Sequence, residues 1–337
     1  MTRHILSGLA VLVILPAAAR AQDMPALYPQ AELSSARQRF QSWFDKLWSR
    51  AIQPNLTPAE KQALTGVRFE FPLVGRHGDP FDYYSDANNR SVMLPVQSLL
   101  FWEDLSTAQA WLHLKGYNLE QVEDYVLVLR HRRPRDWKGG RVPPPLEALG
   151  IPKDALADKA VDELALRFRN RAFAFILGHE LGHIVHRHPG YAPGVPRLQA
   201  RANEEAADRF GLEILRRTST IPVGAGLFLV NSARWFPSRV DFRTDQSWND
   251  YLENEATHPL TAHRLREVAK RLLEAADDFV VNEPNKEVGL ELVRDIADKL
   301  LEVARILEDP DLQRRIAERA ATMDLSTLRE RRPAQPR

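Results

Sequence analysis

The sequence of 337 residues contains no cysteine. This absence excludes disulfides, thiolate metal ligands, iron–sulfur clusters and cysteine nucleophiles, so any metal chemistry must use histidine, aspartate or glutamate. Neither sign of charge is in excess, because 46 Lys and Arg residues face 45 Asp and Glu residues and leave a formal net charge of +1. The charge balance therefore gives no general case for binding nucleic acid or acidic lipid. What is present, 44% hydrophobic and 27% charged residues, is typical of a folded globular protein.

An apolar run at the N-terminus indicates an export signal. A short basic stretch precedes the run from Ile5 to Ala19, and Ala19-Arg20-Ala21 has the small-x-small pattern of a cleavage site. A membrane anchor is the alternative, but crossing a bilayer takes about 20 apolar residues, and this run is shorter and is interrupted by Pro16. We therefore predict a signal peptide at residues 1–21, cleaved after Ala21, and a mature protein that is periplasmic or secreted.

The spacing of apolar residues predicts helices over most of the mature chain. Only Val67–Leu73 and Ser91–Val96 alternate apolar and polar residues as strands do. The predicted fold class is therefore mainly α with a small β-sheet, of the α+β type. The predicted organisation is a signal peptide at 1–21, an N-terminal helical region with the small sheet at 22–140, a core at 155–280, a C-terminal helical segment at 281–325 and a disordered tail at 326–337.

The most informative motif is His179-Glu180-Leu181-Gly182-His183, an HExxH pattern at the end of a long predicted helix. Residues four apart share one helix face, so the two imidazoles can reach a single metal ion. Zinc accepts imidazole and carboxylate ligands, and catalytic zinc sites combine three protein ligands with one open position. Glu180 lies beside this pair, where its carboxylate can take a proton from water that zinc has activated. The alternative, that these residues only decorate an amphipathic helix, conflicts with the apolar sequence before them, because unpaired buried polar groups are costly.

A third ligand is predicted on the next helix, in Asn203-Glu204-Glu205-Ala206-Ala207-Asp208. Glu204 is favoured because Asp208 lies four residues later on the same face, where it can accept a hydrogen bond from a ligating histidine. Glu205 is the alternative ligand, although it points about 100° away around the helix. The small residues Ala206, Ala207 and Gly211 permit close packing of this helix.

Two further histidines follow the motif. His186 comes seven residues after His179 and would return to nearly the same helix face if the helix continued. Pro189 favours fraying at this point, and histidine near a helix C-terminus is favoured by the helix dipole in any case. For His186 and His188 we therefore favour contact with solvent or with a ligand over direct metal binding.

The two motifs together resemble those of the gluzincin metallopeptidases, whose hallmark is HExxH on one helix and Glu-x-x-x-Asp on the next. In addition, Thr257–Leu265 (THPLTAHRL) resembles the His-Pro-x-x-x-x-Arg-Ile/Leu segment of metallopeptidase family 48. That family includes CAAX prenyl proteases, HtpX-like membrane proteases and periplasmic quality-control proteases. His188 also matches an extension that is common there.

The resemblance implies that the core at 155–280 is a zincin-like metallopeptidase domain with one Zn²⁺ ion per chain. It implies that the ion is bound by His179, His183 and Glu204. It assigns the role of general base to Glu180, and supporting positions around the ligands to Asp208 and Arg264. By the same resemblance His258 approaches the metal, either as a catalytic donor to the oxyanion or as a zinc ligand of a resting state.

The sequence differs from family 48 at the strand that usually precedes HExxH. The family has a Leu-Pro-Gly-Gly segment there, whereas the nearest counterpart in this chain, residues 90–95, lacks the two glycines. A separate gluzincin family is therefore the alternative.

We predict an exported zinc metalloendopeptidase that hydrolyses peptide bonds with zinc-activated water. The alternative is a latent or non-catalytic zinc-containing protein of the cell envelope that acts as a chaperone-like adaptor. The predicted partners are a protein or peptide substrate and cell-envelope proteins. Neither nucleic acid nor a stable membrane span after signal cleavage is expected.

Overall fold

The computed structural model describes residues 27–76, 78–132, 137, 141–189, 195–254, 260–331 and 333. The predicted signal peptide at 1–21 and the predicted catalytic donor His258 lie outside the described residues. Within these ranges no helix is both long enough and apolar enough to cross a membrane.

Helices dominate the described chain and a small sheet accompanies them, which confirms the predicted fold class. The α-helices are α1 (Gln30–Leu47), α2 (Pro58–Ala63), α3 (Val96–Leu114), α4 (Glu120–His131), α5 (Pro145–Ala148), α6 (Lys159–Val185), α7 (Arg197–Arg217), α8 (Val223–Trp235), α9 (Asp245–Asn254), α10 (Ala262–Glu274), α11 (Ala276–Phe279), α12 (Lys286–Glu308) and α13 (Pro310–Thr322). A π-helical turn, Trp48–Ile52, extends α1.

The sheet has three short strands, β1 (Arg68–Glu70), β2 (Tyr84–Asp86) and β3 (Ser91–Met93), in the order β1-β3-β2. β1 is parallel to β3, and β2 is antiparallel to it. β1 and β3 fall within the two predicted strands but are shorter, and β3 ends at Met93 because Pro95 already serves as the N-terminal cap of α3. β2 was not predicted, since it lies in a stretch rich in turn-forming residues. β2 and β3 both contact α6, so the sheet lies beside that helix.

Helices α6 and α7 pack closely because glycines occupy their contact. A Cβ atom added to Gly178 would lie only 2.9 Å from the Cα of Gly211 on the facing helix. One added to Gly182 would lie 3.0 Å from the Cα of Ala207. Larger residues at these positions would push the helices apart. The structure thus confirms that Ala207 and Gly211 permit close helix packing, and it brings α7 next to the HExxH segment.

The hydrophobic interior consists mainly of two clusters on opposite sides of α6. Phe173 belongs to a cluster that includes residues from Leu27 to Leu328, whereas Phe175 belongs to a second cluster built on α8, α10 and α12. Because α6 contributes to both, its orientation is held from two sides. The predicted boundaries between the N-terminal region, the core and the C-terminal segment stay predictions.

Candidate metal centre

Two buried histidines project from the last turns of α6. The helix begins at Lys159, where the side chain of Asp158 accepts a hydrogen bond from the backbone N–H of Ala160, and it continues for 27 residues. His179 and His183 lie one turn apart near its end, and their Nε2 atoms are 3.2 Å apart. The helical spacing therefore directs both Nε2 atoms toward one point.

Glu204 on α7 completes a group of three potential metal ligands. Its carboxylate oxygens lie 3.5 Å from Nε2 of His179 and 3.4 Å from Nε2 of His183. All three side chains are buried, and their ligand atoms lie within 4.8 Å of one another, so the group could hold a metal ion. Glu205, the alternative ligand, instead approaches Nε2 of His263 at 3.0 Å. The structure therefore brings the favoured glutamate, and not its neighbour, to the two histidines.

Asp208 and Arg264 contact two of the three potential ligands and help to orient them. Asp208 lies 2.9 Å from Nδ1 of His179, and it accepts hydrogen bonds of 2.5 and 2.8 Å from the guanidinium of Arg264. Arg264 also contacts Glu204 at 2.8 Å. Burial acts to raise the pKa of Asp208, but the charge and hydrogen bonds of Arg264, together with His179, outweigh it and hold the pKa at about 2. Asp208 is therefore ionised at neutral pH and favours the tautomer of His179 that leaves Nε2 free to bind a metal.

The C-terminus of α6 places a second imidazole against His183. The backbone N–H of His188 donates to the carbonyl of His183, and the N–H of Arg187 donates to the carbonyl of Ile184. This is the Schellman arrangement, and it needs a left-handed residue, which here is Arg187 with φ of 53°. Such a cap brings the residue after the turn over the last helical turn, so Nδ1 of His188 lies 2.9 Å from Nδ1 of His183.

His188 is suited to accept a hydrogen bond from its neighbour His183. Burial, followed by the charge of His186, lowers the pKa of His188 to about 4, so the ring is neutral at pH 7. A neutral His188 can accept a hydrogen bond from Nδ1–H of His183 and thereby direct its Nε2 toward the metal position. His186 is exposed at the end of α6 and stacks on His188 with ring centres 5.4 Å apart. Both histidines thus take the supporting and solvent positions favoured from the sequence.

Glu180 lies on the cavity side of the centre. Its side chain is buried, and together with His179 it lines a cavity of about 40 Å³ between α6 and α8. Phe228 and Ser232 of α8 line the same cavity. This contribution from α8 could not be predicted from the sequence, because the apolar residues of α8 are equally typical of a core helix.

Comparison with known protein families identifies the chain as a peptidase. Residues 112–283, which are 172 of the 337, match the family model of Peptidase U49. The chain therefore belongs to the Peptidase U49 family, and the matched region contains His179, His183 and Glu204. No curated protein and no solved structure matches the chain.

The family assignment confirms part of the sequence-based prediction. The protein is a hydrolase acting on protein or peptide substrates, as predicted. Peptidase U49 is not metallopeptidase family 48, however, so the resemblance to family 48 does not hold as a family assignment. The wider assignment to the gluzincins stays a prediction.

Proposed function

We propose that the chain is an exported, zinc-dependent endopeptidase of the gluzincin type. In this proposal His179, His183 and Glu204 bind one zinc ion, and Glu180 is the general base. The observation that carries the proposal is the convergence of three buried potential ligands in a chain that belongs to a peptidase family.

The type and spacing of the ligand atoms are compatible with zinc. Zinc in proteins binds imidazole nitrogen and carboxylate oxygen tetrahedrally with bonds of about 2.0–2.2 Å, which puts neighbouring ligand atoms about 3.4 Å apart. In this centre the two Nε2 atoms are 3.2 Å apart, Oε2 of Glu204 lies 3.5 Å from Nε2 of His179, and Oε1 lies 3.4 Å from Nε2 of His183. Two imidazoles and a carboxylate also leave a fourth position for water or substrate, as catalytic zinc sites require.

The formal charges of the centre also favour a bound cation. Two buried carboxylates, those of Glu204 and Asp208, contact the guanidinium of Arg264, and the buried side chain of Glu180 lines the same cavity as Arg264. Buried charge is costly unless it is compensated. A divalent cation held by the ligand group would balance the excess negative charge.

In the proposed mechanism the residues of the chain have separate tasks. Bound zinc supplies a Lewis acid that polarises the substrate carbonyl and lowers the pKa of water. Glu180 takes the proton of the attacking water and delivers it to the leaving amine. Asp208 accepts a hydrogen bond from Nδ1–H of His179, and His188 accepts one from Nδ1–H of His183, so both ligating rings are held in orientation. His258, as a donor to the oxyanion or as a resting-state ligand, and Arg264, as a supporting residue, complete the predicted site.

Export is the part of the proposal that depends on the sequence alone. The basic stretch, the apolar run and the Ala19-Arg20-Ala21 pattern support cleavage after Ala21 and a periplasmic or secreted mature protein. Cell-envelope partner proteins belong to the same proposal. Mass spectrometry of the protein recovered from the periplasm should give a mature chain that begins at Gln22.

The variant Glu180→Gln tests the mechanism. The substitution keeps the size of the side chain but removes its basicity, so we expect zinc content to be unchanged and chelator-sensitive cleavage of a peptide library to fall by about 10²- to 10⁴-fold. Glu205→Gln is the matched control and should cleave as the wild type does. Cleavage by Glu180→Gln at the wild-type rate would contradict the mechanism. A wild-type chain that binds zinc but cleaves nothing would support the latent binding protein instead.

A further inference from the structure

The cavity beside the metal centre has a size and lining that indicate a specific occupant. His179 and Glu180 form the part of its wall nearest the metal centre, and Arg264 also contributes. Phe175, Phe228 and Phe236 are among the apolar residues of its remaining wall. A group that enters the cavity therefore lies next to the atoms proposed to carry out hydrolysis.

The cavity admits only a small group. One water needs about 10–15 Å³ of such space, so about 40 Å³ accommodates roughly three atoms of that size. The wall cannot easily retreat, because Phe228 contacts three rings on two other segments. Its ring centre lies 5.9 Å from that of Phe81, 5.9 Å from that of Tyr83 and 5.6 Å from that of Trp102. Enlarging the cavity would require this aromatic cluster to repack, which well-packed interiors resist.

One polar group in the wall has an unused hydrogen-bonding capacity. Ser232 on α8 is only 2% exposed, and its Oγ has no hydrogen-bond partner within the part of the chain that the structure describes. A helical serine can bond to the carbonyl four residues earlier, but Ser232 does not. Leaving a buried hydroxyl unpaired is costly, so this wall favours an occupant that brings a hydrogen-bonding group.

We infer that the cavity is a substrate subsite that selects a small hydroxyl-bearing side chain, serine or threonine, at a position beside the scissile bond. The inference rests on the proposed function. Threonine and valine have the same shape, and only threonine can exchange a hydrogen bond with Ser232. A site that hydrogen-bonds a substrate hydroxyl disfavours the analogue that lacks it, because the polar group of the protein is then left unpaired.

Paired peptides test this specificity. The zinc-loaded full-length mature enzyme is first profiled with a peptide library, and matched substrates are then made with Thr or Val at each position flanking the cleaved bond. We expect one position at which kcat/KM for Thr exceeds that for Val by about tenfold. In Ser232→Ala this ratio should fall to one or below. In zinc-loaded Glu180→Gln, which should bind without cleaving, the Kd values should differ in the same direction.

A second buried serine provides the matched control. Ser106 on α3 is also fully buried, its Oγ likewise has no hydrogen-bond partner among the described residues, and it is not part of the cavity wall. Ser106→Ala should therefore leave the Thr-to-Val ratio unchanged.

The outcomes separate failure of the subsite from failure of the proposed function. Chelator-sensitive cleavage with no position that prefers Thr, or with a preference that survives Ser232→Ala, would overturn the subsite and leave the proposed function intact. A wild-type enzyme without any chelator-sensitive cleavage would overturn the proposed function and the subsite with it.

Discussion

Replacing Asp208 by asparagine should weaken metal binding because both carboxylate oxygens are in use. Oδ1 lies 2.9 Å from Nδ1 of His179, and Arg264 donates to both oxygens. Asparagine has the same shape but offers only one acceptor oxygen. If its oxygen faces His179, its NH₂ group opposes the N–H donor of Arg264. If it is flipped, His179 must accept at Nδ1, and its proton then occupies Nε2, the atom that faces the metal position.

Either orientation costs metal affinity. Loss of a partner that orients a ligating histidine typically lowers affinity by about 10- to 100-fold, which corresponds to about 1.4–2.7 kcal/mol. The zinc dissociation constant of Asp208→Asn, measured at one pH by competition with a chelating dye, should rise by this factor. Glu205→Gln, on the same helix, is the control and should bind zinc as tightly as the wild type. An affinity of Asp208→Asn within twofold of the wild type would refute the supporting role of Asp208.

Two further predictions concern stability. Arg187→Gly should raise the free energy of unfolding by about 0.5 kcal/mol in urea titrations, because glycine adopts the left-handed conformation without strain. Its zinc affinity should equal that of the wild type. A variant less stable than the wild type would refute the cap geometry. Burial, reinforced by nearby carboxylates, raises the pKa of the partly buried Asp104 to about 7. The folded state therefore holds a proton that the unfolded state releases near pH 4, and stability falls as the pH rises from about 4 to 7. Asp104→Asn can still accept the hydrogen bond from the hydroxyl of Tyr28. At pH 8 its free energy of unfolding should exceed that of the wild type by about 2 kcal/mol, and the decline between about pH 4 and 7 should be absent. A pH dependence of stability equal to that of the wild type would refute the role of Asp104.

The ligand group could be predicted from the sequence because its geometry is mostly local. The spacing of His179 and His183 is one helical turn, and the same period relates Glu204 to Asp208 on the next helix. The choice of Glu204 over Glu205 followed from the 100° that separates neighbours around a helix. The close packing of the two helices was partly predictable as well, since Gly211 lies among small residues on the second helix.

The remaining features of the centre could not be predicted from the sequence, because they depend on contacts between segments far apart in the chain and on a strained backbone conformation. No periodicity indicates that Ser232 of α8 lines the same cavity as Glu180, because the position of α8 is set by packing against α6 and α12. The turn at Arg187 was equally unpredictable from the sequence, because a helix cap of this kind usually has glycine at the left-handed position. His188 was expected near a ligand, but its hydrogen bond to His183 became apparent only from the folded turn.

The central claim is a catalytic zinc ion bound by His179, His183 and Glu204. Anomalous diffraction at the zinc absorption edge from crystals of the purified mature chain tests it most directly. The account predicts one zinc ion per chain, about 2.0–2.2 Å from the two Nε2 atoms and a carboxylate oxygen, with a fourth position that no protein atom occupies. Absence of zinc from this position, or a fourth protein ligand in every state of the enzyme, including one with a substrate analogue bound, would contradict the account.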